Sequence, residues 1–236
     1  MCNLYRQRSG PQAIMDIANA MHSTVGNLAP DDNYPDYPAP IVRWEGSERV
    51  LASARWGMPS SAKALFENAT TRANKMRAKG KLIGHDAFAE LVKMEPDSGT
   101  TNVRNTASAH WKRWLEPSHR CLVPFTAFSE PGRDAAGKYQ PIWFKLAGDD
   151  PEPLAFFAGI HLQAHTAVRK IKTGIETIDV FAFLTTEPNA EVGAVHPKAM
   201  PVVLTEPDEI EMWMSAPWDI AKELQRPLSD GALEYI

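Results

Sequence analysis

The chain has little cysteine, little excess charge of either sign and no long apolar run, and each shortage excludes a class of protein. Its 236 residues include two cysteines, Cys2 and Cys121, too few for a disulfide framework. With no C-x-x-C or H-E-x-x-H spacing, the sequence also offers no structural zinc site. Reduced thiols and no metal or other cofactor are expected. No stretch approaches the ~20 apolar residues that span a bilayer, and the opening MCNLYRQRSG has no apolar signal segment. A cytoplasmic protein with no membrane contact is the expectation. A net charge of −4 argues against coating nucleic acid through bulk charge, so any such contact has to be local.

What is present is an ordinary globular composition, 44% hydrophobic and 23% charged, enough for one large core and a single monomeric domain. Basic residues gather at Arg72, Lys75, Arg77, Lys79 and Lys81 and again at Arg104, Lys112, Arg113 and Arg120, while the C-terminal stretch is acidic and reads as a solvated helical face. Helical spacing marks 12–21, 60–79, 85–94, 208–214 and 218–224. The stretch 60–96 reads as helical surface elaboration. NYPDYPAP, with three prolines in eight residues, predicts an ordered extended loop rather than a helix or a central strand. Strands are predicted at 41–44 and 49–56. From Arg120 onward the runs CLVPF, PIWFKL, LAFFAGI, IDVFAFLTT and MPVVL are strand-like and lack long helices between them, which predicts antiparallel pairing. The fold class is α+β, with a curved antiparallel sheet or barrel core and flanking helices.

Cys2 carries the most specific chemistry. Removal of Met1 would put an α-amine and a thiol on adjacent carbons, a 1,2-aminothiol that traps aldehydes. The amine, with a reference pKa of about 7.7–8.0, condenses with a carbonyl, and the thiol then closes a thiazolidine. Position 2 alone reads as an ordinary second residue.

Separated segments then fall into a recognisable order: Met1-Cys2, Arg55-Trp56-Gly57-Met58-Pro59, Asn102-Val103-Arg104, Arg120-Cys121-Leu122-Val123-Pro124, Glu130, and Val195-His196-Pro197-Lys198-Ala199-Met200-Pro201-Val202. From Cys2 to about Leu228 the chain resembles the SRAP domain family, the abasic-site processing proteins also described as SOS response-associated peptidases. The resemblance implies a protein of the DNA damage response that binds single-stranded DNA containing abasic sites. It also implies a stable thiazolidine crosslink from the N-terminal cysteine to the ring-opened sugar aldehyde, in a single turnover, with self-cleaving peptidase and lyase activities allowed.

Imine formation needs a neutral amine, a proton donor for the departing oxygen and a freed carbonyl. Glu130 matches the family's acidic residue, and an apolar wall would raise its pKa; by position alone it reads as a strand-end residue facing solvent. His196 matches the histidine that assists opening of the sugar, and Asn102 the asparagine that lies against Cys2, where its amide can donate and accept at once. Without the resemblance, Asn102 is also a turn residue and His196 one of seven histidines. Arg104 suits a phosphate beside the lesion, with Arg43, Arg55 and Lys198 as weaker candidates. Trp56, Gly57, Met58 and Pro59 resemble the element beside the DNA, where Trp56 either stacks on a base or sits in the core, and the stretch Pro38 to Pro40 is a second candidate wedge. Cys121 reads as a packing cysteine.

The chain departs from the commoner family pattern in four places. Asn3 and Leu4 replace Gly and Arg, Pro131 replaces Trp, Thr106 replaces Glu, and Lys198-Ala199 lengthens the histidine block by one residue. A phosphate contact and an aromatic wall are lost, as in a subfamily. Two rival functions remain on the sequence: an N-terminal cysteine peptidase acting on Met1 or on other peptides, and a non-covalent single-strand module for which Cys2 is irrelevant.

Overall fold

Alternating apolar residues build long strands, and two alternate faces of those strands build the core. A computed structural model describes residues 2–26, 28, 31–134 and 136–236. The first half of the chain runs β1 (Leu4–Arg6), α1 (Pro11–Ala18), β2 (His22–Ser23), β3 (Asp32–Asn33), β4 (Pro38–Glu45), β5 (Glu48–Trp56), α2 (Ala62–Ala78), α3 (His85–Lys93), β6 (Asn102–Val103) and α4 (Ala109–Lys112). The second half runs β7 (Arg120–Phe125), β8 (Ala127–Arg133), β9 (Tyr139–Leu146), β10 (Ala155–Val168), β11 (Ile175–Thr186), α5 (Ala190–Val195), β12 (Met200–Pro201), β13 (Val203–Leu204), α6 (Pro207–Ser215), α7 (Trp218–Ala221) and β14 (Leu233–Tyr235).

β5, β4, β7, β10 and β11 pair in that order, each antiparallel to the next, and β11 returns to β5 through Val180↔Arg55 and Phe181↔Trp56. The sheet thus closes as a five-stranded barrel, which removes its exposed edges. The expected antiparallel order holds between successive strands; the closing pair β5–β11, and the short pairs β2–β5 and β6–β11, are parallel. A second sheet, ordered β14-β9-β8-β1-β3, holds β1 between β8 and β3.

The proline-rich segment differs from its reading as a loop. Pro38 and Pro40 open β4, opposite Arg55 and Ser53. β4 meets β7 only at Val42 and Arg43, so the prolines occupy the part of the strand with one neighbour, where a missing N–H costs no ladder bond on the other side.

Alternate residues of the barrel strands enter two clusters. Val42, Leu51, Leu122, Phe156 and Ala182 pack with Ile14 of α1 and Trp213 of α6. Ile41, Trp56, Val123, Phe157, Phe181 and Phe183 pack against Cys2, Tyr5, Phe128 and Phe144 of the second sheet. Phe125 and Phe157 stack at 3.9 Å and 4°, and full burial of each such ring contributes about 2–3 kcal/mol. The N-terminal strand is therefore anchored by aromatic packing around Tyr5. By contrast, α3 buries no residue and α2 buries only Ala69 and Ala73; Phe66 and Phe88 join the two helices edge to face at 5.5 Å.

Arg120 joins α6 to the barrel. It is fully buried, its Nε donates to Leu115 O at 2.7 Å, and its Nη1 donates to Trp213 O at 2.8 Å and Ala216 O at 2.7 Å. Burial pulls its pKa down to about 10, so it stays charged at neutral pH. It serves the last carbonyls of α6, which no intrahelical N–H reaches.

Candidate active site

Four of the sequence-predicted residues converge near the N-terminus, each brought by a different element. β1 pairs with β8 through Leu4↔Ser129 and Tyr5↔Phe128, which lays the start of the chain beside Glu130. β6 pairs with β11 at Asn102↔Phe183, and there Asn102 Nδ2 donates to Cys2 O at 2.9 Å and to Thr101 Oγ1 at 2.8 Å. Asn102 Oδ1 is buried and accepts no hydrogen bond among the described residues. α5, capped by Asn189 Oδ1 accepting from Val192 N at 3.2 Å, delivers His196 just past its last turn. His196 Nδ1 lies 3.1 Å from Ala199 O and 3.7 Å from Glu130 Oε2. The carbonyl can only accept, so Nδ1 carries the proton.

The electrostatics of the group follow from its burial. Glu130 is 1% exposed, and burial pushes its carboxyl up to about 7, close to half-protonated at neutrality. The Cys2 thiol donates to Leu4 O at 3.5 Å; burial, with the nearby Glu130 charge adding, raises its pKa far above the usual thiol range. It is a protonated thiol in this state. Burial lowers the His196 pKa, and the positive charge of Lys198 adds to this against the pull of the Ala199 carbonyl. Met1, whose removal would free the α-amine, lies outside the described residues.

The predicted DNA contacts divide. Lys198 is exposed beside His196. Arg104 is half-exposed, its Nη1 donating to Thr186 O at 2.8 Å and Lys198 O at 2.7 Å, so it also ties down the loop after His196. Arg43 is buried and donates to Trp44 O and Glu45, which takes it away from phosphates. Arg55 is engaged by both oxygens of Glu176.

Trp56 is a core residue in this structure. It is fully buried, stacked on Phe183 at 5.1 Å, and its Nε1 donates to Thr101 O at 3.0 Å. Neither face is open to a base. Gly57, Met58, Pro59 and Pro40, candidates for the element beside the DNA, are buried as well in this structure. This block acts from beneath: the Met58–Thr100 bridge and the Trp56–Thr101 bond hold the strand that presents Asn102.

Gly57 is required by close approach. Its φ is +147°, and a Cβ there would lie 2.5 Å from Arg169 Nη2 and 3.3 Å from Gly99 Cα. Arg169 cannot retreat, because its Nε is held by Asp36 at 2.9 Å and its Nη1 by Gly57 O at 3.2 Å. Gly57→Ala is therefore expected to destabilise the fold by about 2–4 kcal/mol, read as a lower urea midpoint at unchanged slope; an unchanged midpoint would refute the packing argument. Arg169 and Thr101 are the positioning residues that sequence reasoning missed. An Arg in a polar stretch and a Thr beside an Asn give no signal until the chain is folded.

The whole chain, residues 1–236, matches the profile described as SOS response associated peptidase (SRAP). The protein belongs to the SRAP family. It is thereby an SOS-response-associated protein, and the family description carries a peptidase-like role. Three solved structures share the SRAP chain's fold. A protein from Bacteroides thetaiotaomicron aligns with a TM-score of 0.65 at 18% identity, covering 99% of this chain and 90% of that one. A Bordetella bronchiseptica protein gives 0.63 at 22%, covering 100% and 99%, and a phage-related protein from the same organism gives 0.61 at 19%, covering 100% and 93%. The comparison with curated proteins gave no match. Among the described residues of this SRAP protein no helix is long and apolar enough to cross a membrane, and no group of three or more His, Cys, Asp and Glu side chains could hold a metal.

Proposed function

We propose that this SRAP protein captures abasic sites in single-stranded DNA by forming a thiazolidine between Cys2, after loss of Met1, and the ring-opened sugar aldehyde. The observation that carries the reading is that Asn102 holds the Cys2 carbonyl while Glu130, close enough to act on the Cys2 thiol, lies 3.7 Å from His196. Asn102 fixes the Cys2 carbonyl, and its unoccupied Oδ1 is an acceptor for the freed amine. The amine attacks first, because the buried thiol is held protonated. Protonated Glu130 gives its proton to the carbinolamine oxygen, which leaves as water. The thiol then adds to the imine carbon, its proton passing to the nitrogen, with the carboxylate of Glu130 as relay. His196 acts on the sugar oxygen as the ring opens, in a range of pH where it is mostly neutral. Lys198 and Arg104 supply the adjacent phosphates with positive charge.

Intact-mass spectrometry before and after incubation with a uracil-containing single strand treated with uracil glycosylase tests this. The expected outcome is loss of Met1, then a heat-stable DNA adduct absent in Cys2→Ala. Processed protein that never gains the mass of DNA would reject the reading. The family description favours a second one, in which Cys2 cleaves the Met1 bond itself. Retention of Met1 by Glu130→Gln, with processing of the unaltered protein in a purified translation system lacking aminopeptidase, would support it.

A further inference from the structure

A cleft of about 580 Å³ lies between the β8–β9 hairpin, β14 and α5. Its size falls within the roughly 300–1,000 Å³ of small-ligand sites. β8 and β9 pair at Glu130↔Ile142 and Gly132↔Gln140, so Glu130, Gly132 and Ile142 share one face of the sheet. Gly132 and Ile142 line the cleft, and so does Val195, the residue before His196. The cleft therefore borders the Glu130–His196 pair through their chain neighbours Pro131 and Val195.

Two of its walls are exposed aromatic rings, Tyr139 at 64% and Tyr235 at 52%. The Tyr235 ring is fixed by its hydroxyl donating to Glu191 O at 2.9 Å and by Phe144 at 5.1 Å. Arg133 stands beside Tyr139, opposite it in the ladder, with Nη1 donating to Gly137 O at 2.7 Å. Among the described residues no acidic side chain lines the cleft. Flat aromatic walls, one cation and no carboxylate match an aromatic ring that carries a phosphate.

We infer that this cleft takes the nucleobase next to the abasic site, stacked on Tyr139 and Tyr235, with Arg133 on the phosphate. The inference rests on the proposed capture of abasic single strands. It adds a stacking subsite that determines how the strand runs past Glu130. The occupant is a base of the bound strand, since the cleft begins where the reacting sugar would lie.

The test is a coupling measurement by fluorescence anisotropy. Single strands carry a reduced abasic analogue, which has no aldehyde, flanked on each side in turn by a base or by a base-free spacer. Tyr139→Ala suits this because its ring is exposed and outside the reactive group. With a base in the cleft, Tyr139→Ala is expected to weaken binding about tenfold, the scale of one stacked base. Omitting that base should cost the unaltered protein about as much, and the two losses should not add. Arg133→Ala should lower affinity for both strands alike and flatten the salt dependence. Additive losses, or a Tyr139→Ala effect equal on both strands, would overturn the base subsite. If the adduct forms in a Cys2-dependent way and coupling is absent, the subsite alone fails; if no strand binds or crosslinks, the capture reading fails with it.

Discussion

Replacing Glu130 by Gln is expected to stabilise the protein above neutral pH and, in the same molecule, slow aldehyde capture by about 10²–10⁴-fold. The stability effect follows from the sign of the shift. Glu130 is an acid whose pKa is raised in the folded state, from an ordinary 4.5 to about 7, by burial. Between those values the folded state binds more protons than the unfolded chain, so stability falls as pH rises through that window. The penalty is absent below about pH 4.5 and complete above about pH 7. At about 1.4 kcal/mol per pKa step, the rise to about 7 corresponds to about 3 kcal/mol. Gln keeps the shape and never ionises, so its advantage should be small at pH 5 and greatest at pH 8. It has no proton to give to the departing oxygen, so the chemical step loses its acid. Urea unfolding at both pH values, paired with the rate of adduct formation, checks the two halves together. A variant less stable than the parent at pH 8, or one that captures at the parental rate, would mean that Glu130 is not the buried acid described.

The second large effect lies away from the site. Arg120→Ala is expected to cost about 3–5 kcal/mol. Losing three charge-assisted bonds, to Leu115 O, Trp213 O and Ala216 O, costs on the order of 1.5–3 kcal/mol each. Against this, removing a buried guanidinium whose pKa burial has pulled down to about 10 recovers about 3 kcal/mol. The bonds win because no apolar substitute can satisfy carbonyls at the end of α6. Arg120→Met separates the contributions: it restores volume and contact with Trp213 but donates nothing, so it should recover about 1–2 kcal/mol. Full recovery by Met would show that cavity formation, rather than carbonyl satisfaction, sets the cost. Both are read by denaturant midpoint.

Much was legible in the sequence because local pattern and chemistry coincide there. Runs such as LAFFAGI and IDVFAFLTT are too long and too apolar for anything but buried strands, and the order of the Cys2, Asn102, Glu130 and His196 segments pointed to one family. Their role as a group was an expectation; their spacing from one another was not in the sequence at all. Other assignments stayed open on the sequence. Trp56-Gly57-Met58-Pro59 drew notice through its resemblance to the family's element beside the DNA, and an aromatic residue there reads the same whether it stacks on DNA or supports the strand below.

By itself the sequence determined most of the elements and the family, and it singled out Cys2 as the candidate nucleophile, since periodicity, glycine and proline placement and the chemistry of an N-terminal cysteine are properties of neighbouring residues. Only the tertiary structure decided which groups meet. The parallel return of β11 to β5 closed the barrel, the β1–β8 register set Glu130 beside Cys2, and burial raised one carboxyl to about 7. Burial and register depend on residues a hundred positions apart, and a pKa depends on the dielectric they create. That is why the choice for Trp56 between stacking on a base and sitting in the core stays open along the chain, and why in the fold Trp56 and Arg43 are both buried.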